Sequence, residues 1–298
     1  MQANGPYLEK FERFEKEAKN PPWVFPLRKA GIARFAELGF PTLHHEDWRF
    51  TNVAPIAKLP FKPVFEPASD APSAGQIAGF TFGKIPACRL VFINGHYSAE
   101  LSSGTPLPEG VIAGSLASAL PLHSEFLQKH LGRYASENSA FTSLNTAFFQ
   151  DGAYIYVPEG VALESPLHLL FISTASETGA TVQPRNLIIA EKSSRLTIIE
   201  SYVSTADAAY FTNTVTELAA REGAVIEHCK FQDESLSAYH IAALHAHLGR
   251  NCNFISHSFA AGARLSGTTS ALRWQVKASN ACSTAFISPK PTNWPIIT

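Results

Sequence analysis

Three histidines, His240, His245 and His247, stand together in "HIAALHAHLG". In an extended strand, residues two apart share a face, so His245 and His247 could supply two metal ligands. A third ligand would have to come from His228, Cys229 or His257. The competing reading is ordinary: polar residues on a solvated strand face, with no carboxylate or cysteine at a fixed offset to close a site. Cys229 and Cys252 lie in neighbouring repeats and could stack for sulfur chemistry. The commoner role of a free cysteine is that of a small buried apolar residue. "HHEDWRF" gathers His44, His45, Glu46, Asp47 and Arg49, which invites an acid–base reading. Adjacent side chains cannot all face one substrate, so ion pairing and capping within the turn are expected instead. No phosphate-binding loop, dinucleotide fingerprint, zinc-protease motif or nucleophile elbow is present. No catalytic, cofactor-binding or metal residue is assigned.

The elements that must position these residues fall into two kinds. Residues 7–19 have helical spacing, with Tyr7, Phe11, Phe14 and Ala18 on one face, and Asn20-Pro21-Pro22 as a stop. A second helix is predicted from about Leu27, with Ile32, Phe35 and Ala36 as its apolar side and Gly39 closing it. Residues 60–86, rich in Pro, Ala, Ser and Gly, read as a linker. "RLVFINGHYSAEL" is a hairpin about Asn94-Gly95. Residues 113–150 are predicted helical again, with Leu122, Phe126, Leu127 and His130 near one side.

From Tyr154 to Leu265 the pattern is β. The stretches beginning at 159, 192, 222 and 250 each open on a turn and enter an alternating strand, with a second strand in each interval. A loose repeat on this scale is the mark of a solenoid, in which each turn buries its apolar side on the next. A β-sandwich would also give many short strands. The corresponding positions of the turns favour a parallel β-helix.

Composition narrows the function. Formal net charge is −1 and charged residues make up 16%, which gives no electrostatic case for nucleic acid or an anionic membrane. The charged N-terminus is no signal peptide and no apolar run could span a bilayer, so a cytoplasmic location is expected, with Cys88, Cys229, Cys252 and Cys282 as free thiols.

Several segments together resemble one family. "WVFPLRKAGIARFAELGFPTLHHEDWRFTNV" (23–53), "LVFINGHYSAELS" (90–102), "FTSLNTAFFQDGAYIYVPEGVALESPLHLLF" (141–171) and "PRNLIIAEKSSRLTIIESY" (184–202) are similar to the SufD family of the SufB–SufC–SufD iron–sulfur cluster assembly machinery. His44 and His45 stand where that family usually has a basic or acidic residue. The resemblance implies a mainly β fold: an N-terminal helical domain, a right-handed parallel β-helix, then a C-terminal helical domain. It implies a scaffold rather than an enzyme, pairing with SufB through the β-helices and holding the ATPase SufC through the C-terminal helices. It implies no cofactor bound by this chain alone and a transient Fe–S cluster in the full complex. The expected division is 1–86 for the helical domain and linker and 87–266 for the β-helix core, with the insertion near 113–150.

Residues 267–298 depart from the family. They hold no Asp or Glu, nine Ser and Thr and two of the four Trp. Rebuilding codons one base out of register permits the family's continuation: Gly267 to Ser270 permits R-N-D-I, and "SPKPTNWPII" permits L-T-K-A-D-Q-L-A-D-H. The expectation is therefore an out-of-frame, largely disordered tail on a β-helix broken near Ser266. That truncation would remove the SufC-binding helices, weaken or abolish SufB binding and leave an edge prone to aggregation. A divergent natural tail is the other reading. Two further functions stay open: a β-helix carbohydrate-active enzyme, which would need paired carboxylates among Glu164, Glu200, Glu217 and Glu227, and a free-standing metal-binding module on His240, His245 and His247.

Overall fold

The computed structural model describes residues 5–18, 20–65, 72–82, 87–104, 106–135, 138–174, 179–205, 207–274, 280–287 and 296–297. Helix α1 (Gly5–Glu17) turns Tyr7, Phe11 and Phe14 inward, as the spacing predicts. Helix α2 (Val24–Leu38) starts earlier than expected. Pro26 falls in its first turn, where a missing N–H costs nothing. Gly39 closes α2 with φ 63°, its N–H bonded to the Phe35 carbonyl. The buried stripe is Val24, Arg28, Gly31 and Phe35 rather than the Ile32–Phe35–Ala36 side. Ala36 is exposed. The stripe hides behind a charge and a glycine, each with a packing reason. Arg28 lies over the rings of Phe14 (4.7 Å) and Phe149 (4.6 Å) and donates to the Ala147 carbonyl. A Cβ on Gly31 would stand 2.8 Å from Ala147 N and 2.9 Å from Ser143 O.

Short elements follow: α3 (Ala54–Ala57), β1 (Lys62–Pro63) and α4 (Ala74–Ala78). The stretch expected to be only linker thus carries a strand and a capped helical turn, held by the Ser73–Gln76 capping box. Strands β2 (Cys88–Ile93) and β3 (His96–Ser103) form the predicted hairpin, with Asn94 and Gly95 both at positive φ. The insertion begins with strand β4 (Ile112–Ser115), not a helix. Helices α5 (Leu116–Leu122), α6 (Ser124–His130) and α7 (Ala140–Phe148) follow. Leu122 is 77% exposed, so it does not join Leu127 and His130 on the buried side.

The rest is one coil. Strands β5 (Ala153–Val157), β6 (Leu167–Ser173), β7 (Ala180–Val182), β8 (Arg185–Ala190), β9 (Arg195–Ser204), β10 (Phe211–Ala220), β11 (Val225–Glu234), β12 (Tyr239–Leu248), β13 (Asn253–Gly262), β14 (Leu265–Trp274), β15 (Asn280–Ile287) and β16 (Ile296–Ile297) make two facing sheets. From β8 onward the chain alternates between them, and every pair of adjacent rungs is parallel. This is the expected parallel β-helix, preceded by a helical region. Register drifts as the sequence suggests: Leu167 pairs Ile198, Leu196 pairs Ile226, Ile226 pairs Phe254 and Phe254 pairs Ala281. The antiparallel strands β3 and β4 end the two sheets on one side.

Residues 265–274 and 280–287, which overlap the expected disordered tail, are strands of the coil. Most of their backbone pairing is with the rung before, which orders them whatever their side-chain pattern, and β14 also pairs β16. Residues 275–279, 288–295 and 298 of that tail lie outside the described residues.

Two cores result. Leu196, Ile198, Leu218, Ile226, Leu244, Leu248 and Phe254 fill part of the lumen between the sheets. Phe11, Phe14, Phe61 and Phe148 interlock edge-to-face under the helices, and with Phe141 they pack on Phe211, Tyr239 and Ile241 of the first sheet.

Candidate functional site

Alternation along each strand sends one set of side chains into the lumen. On β9 that set is Leu196, Ile198, Glu200 and Tyr202; on β11 it is Ile226, His228, Lys230, Gln232 and Glu234. The lumen therefore starts apolar and becomes polar along the strands. Across from these residues stand Thr212, Thr214 and Thr216 of β10, His240 of β12, and Ser266 and Thr268 of β14. Glu200, His228, Lys230, Glu234 and His240 are all buried.

Many of these polar groups find partners across the coil, though His228 Nε2 and both ring nitrogens of His240 make no hydrogen bond. Glu200 accepts from Thr216 Oγ1 (2.8 Å) and Tyr202 Oη (2.9 Å), and its Oε1 lies 3.3 Å from His228 Nε2. His228 Nδ1 meets Ser256 Oγ at 2.9 Å. Glu234 accepts from Thr212 and lies 2.7 Å from His240 Nδ1. Lys230 Nζ donates to Thr268 Oγ1 at 3.1 Å. His240 Nε2 has no hydrogen-bond partner and its ring abuts Tyr202 at 4.8 Å.

The electrostatics follow from burial and pairing. Burial works to raise the Glu200 carboxyl, but His228, Thr216 and Tyr202 pull it below the usual range. Glu234 behaves likewise, with His240 as its main support. Burial pushes the Lys230 ammonium down to about 8, against the pull of Glu200 and Glu234. Burial, then Lys230, lowers His240. The arrangement can hold charge and share protons between two Glu–His pairs inside a sealed coil.

A second buried pair ties the helical cover to the coil. Arg185 Nη2 lies 2.7 Å from Glu217 Oε1. Glu217 also accepts backbone N–H bonds from Gly132, Tyr134 and Ala135, while Arg185 donates to Asn145 and Thr146 on α7. Asp151 does similar work one rung earlier, accepting from Tyr97 N, Ser115 Oγ, Ala117 N and Gly152 N.

The residues singled out in the sequence are not brought together. His245 and His247 do share a face, the outer one of β12, where His245 meets Thr142 and His247 meets the Tyr134 ring. His240 and His228 point into the lumen. Cys229 and His257 are register partners on the second sheet. Among the described residues no group of three or more His, Cys, Asp or Glu is placed to hold a metal. Cys252 is buried beside the Arg221 carbonyl, away from Cys229. Burial raises the thiols of Cys88, Cys229 and Cys252, which disfavours the nucleophilic thiolate. Glu200 and Glu217 are consumed in buried pairs, and Glu164 and Glu227 are exposed elsewhere, so no glycosidase dyad forms. The lumen members Lys230, Gln232 and Glu234 were missed. Their signal was alternation: three polar residues at every second position on a strand whose opposite face carries Cys229 and Phe231.

The two sheets also differ outside. Helices cover the outer face of the first sheet through Phe141, Phe148 and their neighbours. On the second sheet, Phe82, Phe231 and Phe259 form a partly exposed aromatic row, with ring centroids 4.8 and 4.9 Å apart.

Comparison with known proteins adds a family. Residues 1–169 match the family model described as the SufBD protein N-terminal region, and residues 171–288 match the SUF system FeS cluster assembly SufBD core domain. An iron-sulfur cluster assembly SufBD family protein of Synechocystis sp. is 31% identical over 247 residues, which is 80% of this chain and 54% of its own length. The iron-sulfur cluster assembly protein SufD of Escherichia coli is 26% identical, covering 80% of this chain and 53% of its own. SufD of Bacillus subtilis is 23% identical, covering 74% and 51% respectively. The chain thus spans about half the length of these curated relatives.

Proposed function

The chain belongs to the SufBD family, and on that footing we propose that it serves as a SufD-type scaffold subunit in iron–sulfur cluster assembly. The observation that carries this reading is the unbroken pair of family matches, N-terminal region then core, laid over one helical cover and one coil. In this reading the chain works in the cytoplasm and catalyses nothing by itself. The cluster is cargo of the assembled complex rather than a resident cofactor. Its partner SufB docks on the coil, and SufC is reached through the SufB-containing complex rather than held by this chain. The open row of Phe82, Phe231 and Phe259 supports a docking role, since partly exposed aromatics on a rigid sheet are typical anchors. No helix among the described residues is long and apolar enough to cross a membrane.

Co-expression of the tagged chain with SufB and SufC tests this. Recovery of SufB above an untagged control supports it, and Phe259→Asp should reduce that recovery by at least tenfold. Failure to recover either partner overturns it.

A further inference from the structure

The outer face of the first sheet gathers positive charge at the carboxyl ends of its strands. His247 pairs in register with Ala219 on one side and with Arg273 on the other. Ala220, Leu248 and Leu272 pack into the lumen, so Arg221, His247 and Arg273 beside them point outward. Arg221 carries the β10 ladder one step further, with its N–H bonded to the Ala190 carbonyl. It stands two positions beyond the residue that pairs with His247. Tyr134, in the turn after α6, bounds the cluster from the cover. Its ring lies 5.8 Å from the His247 ring, and its hydroxyl meets Nδ1 of His130, itself only 7% exposed.

The charges here are unbalanced. Neither Arg221 nor Arg273 makes an ion pair or a side-chain hydrogen bond among the described residues. Burial, then Arg221 and Arg273, lowers the His247 imidazole. Burial and Arg221 lower His130 as well; Glu217 opposes this and Lys129 adds to it. Glu217 is already held by Arg185 and three backbone N–H groups. Glu191 acts on Tyr134 and Tyr156 but pairs with neither arginine. The cluster therefore has donors and positive charge in excess, with no acid of its own to take them up.

We propose that Arg221, His247 and Arg273 bind a phosphate dianion, either free or as a small monoester. Two guanidinium forks suit a tetrahedral dianion, and the imidazole can donate to a further oxygen. A carboxylate brings one charge and two oxygens and is the poorer fit. The inference stands apart from the scaffold reading and does not depend on it.

Calorimetric titration of the full chain at constant ionic strength tests this, with inorganic phosphate and, separately, glycerol 3-phosphate. Saturable 1:1 binding of either supports the site, and the tighter of the two names the source. Arg221→Gln and Arg273→Gln should each weaken binding by about tenfold or more, as for a lost hydrogen bond to a charged group. Arg49→Gln, an exposed arginine of the helical region, removes the same net charge and should leave binding unchanged. The His247 ring gives an independent readout by NMR. Sulfate, which stays dianionic through the histidine range, should raise its titration midpoint, whereas acetate should not. If either arginine variant fails to fold, that measurement on the parent chain still decides. Absence of saturable binding by both phosphates, acetate binding as tightly as phosphate, a His247 midpoint unmoved by sulfate, or affinity indifferent to both Arg221→Gln and Arg273→Gln overturns the proposal.

Discussion

Glu217 and Arg185, 32 residues apart in sequence, meet at 2.7 Å on neighbouring strands with neither side chain reaching solvent. The pair sits where the helical cover meets the coil, and Glu217 also holds three backbone N–H groups of the 132–135 turn. Removing one member of a buried pair leaves an uncompensated charge. Glu217→Ala should therefore destabilise the protein by about 3–5 kcal/mol in urea unfolding. Glu217→Gln keeps an acceptor oxygen and should lose less. Equal losses would show that the turn does not depend on this acceptor.

Acid should loosen the fold well before its carboxylates titrate. Burial, then Arg185, pushes His245 down to about 4; burial, then Arg89, does the same to His168. Both are neutral in the folded chain, whereas an unfolded histidine takes up a proton near 6.5. Their contribution is fully present above about pH 6.5 and is lost as pH falls towards 4, on the order of 3 kcal/mol for each. Unfolding midpoints should drop between pH 7 and 5, and His245→Gln should flatten that slope. A midpoint constant over this range would contradict the prediction.

The crossing of α2 and α7 depends on Gly31. Any side chain there meets backbone atoms of α7 at under 3.0 Å, and backbone cannot swing aside. Gly31→Val should cost about 1–3 kcal/mol through overpacking. Thermal unfolding measures it; a neutral outcome would mean that the two helices separate readily.

Lys230 balances two buried carboxylates. Replacing it by Met removes the ammonium whose charge both carboxylates feel, while Glu200 keeps His228 and Glu234 keeps His240, so the cost should be about 1–3 kcal/mol near pH 7.5. With the cation gone, the folded state binds protons more readily, so stability should fall as pH rises. The gap between Lys230→Met and the parent should narrow from pH 7.5 towards 5.5. A gap that does not change with pH would place the loss in packing rather than charge.

Much of this architecture was legible in the residues. Tyr7, Phe11 and Phe14 declared their helix by spacing, Asn94-Gly95 declared the hairpin, and the turns before each rung declared the coil. Other features were not, for three physical reasons. Arg28 reads as a surface charge until two aromatic rings are seen to sandwich it. Leu122 reads as core but ends α5 in solvent. The strands from Leu265 onward carry no pattern of their own because the rung before supplies their hydrogen-bonding template. Chemistry was harder still. His240, His245 and His247 lie within eight residues of one strand, yet strand parity splits them between lumen and cover.

The short, slowly shrinking offset between paired rungs bears on how the chain finds its fold. Ile226 pairs with Leu196 before it and with Phe254 after it, so each pairing closes a loop only about one rung long. Loop-closure entropy grows slowly with length, and here it never has to grow between rungs. Pairing can thus spread along the coil as a series of similar short steps, unlike the distant pairings of a sandwich. The cover is the exception: Gly132 must cross 85 residues to reach Glu217. The slow event in this molecule should be the docking of that cover rather than the winding of the coil.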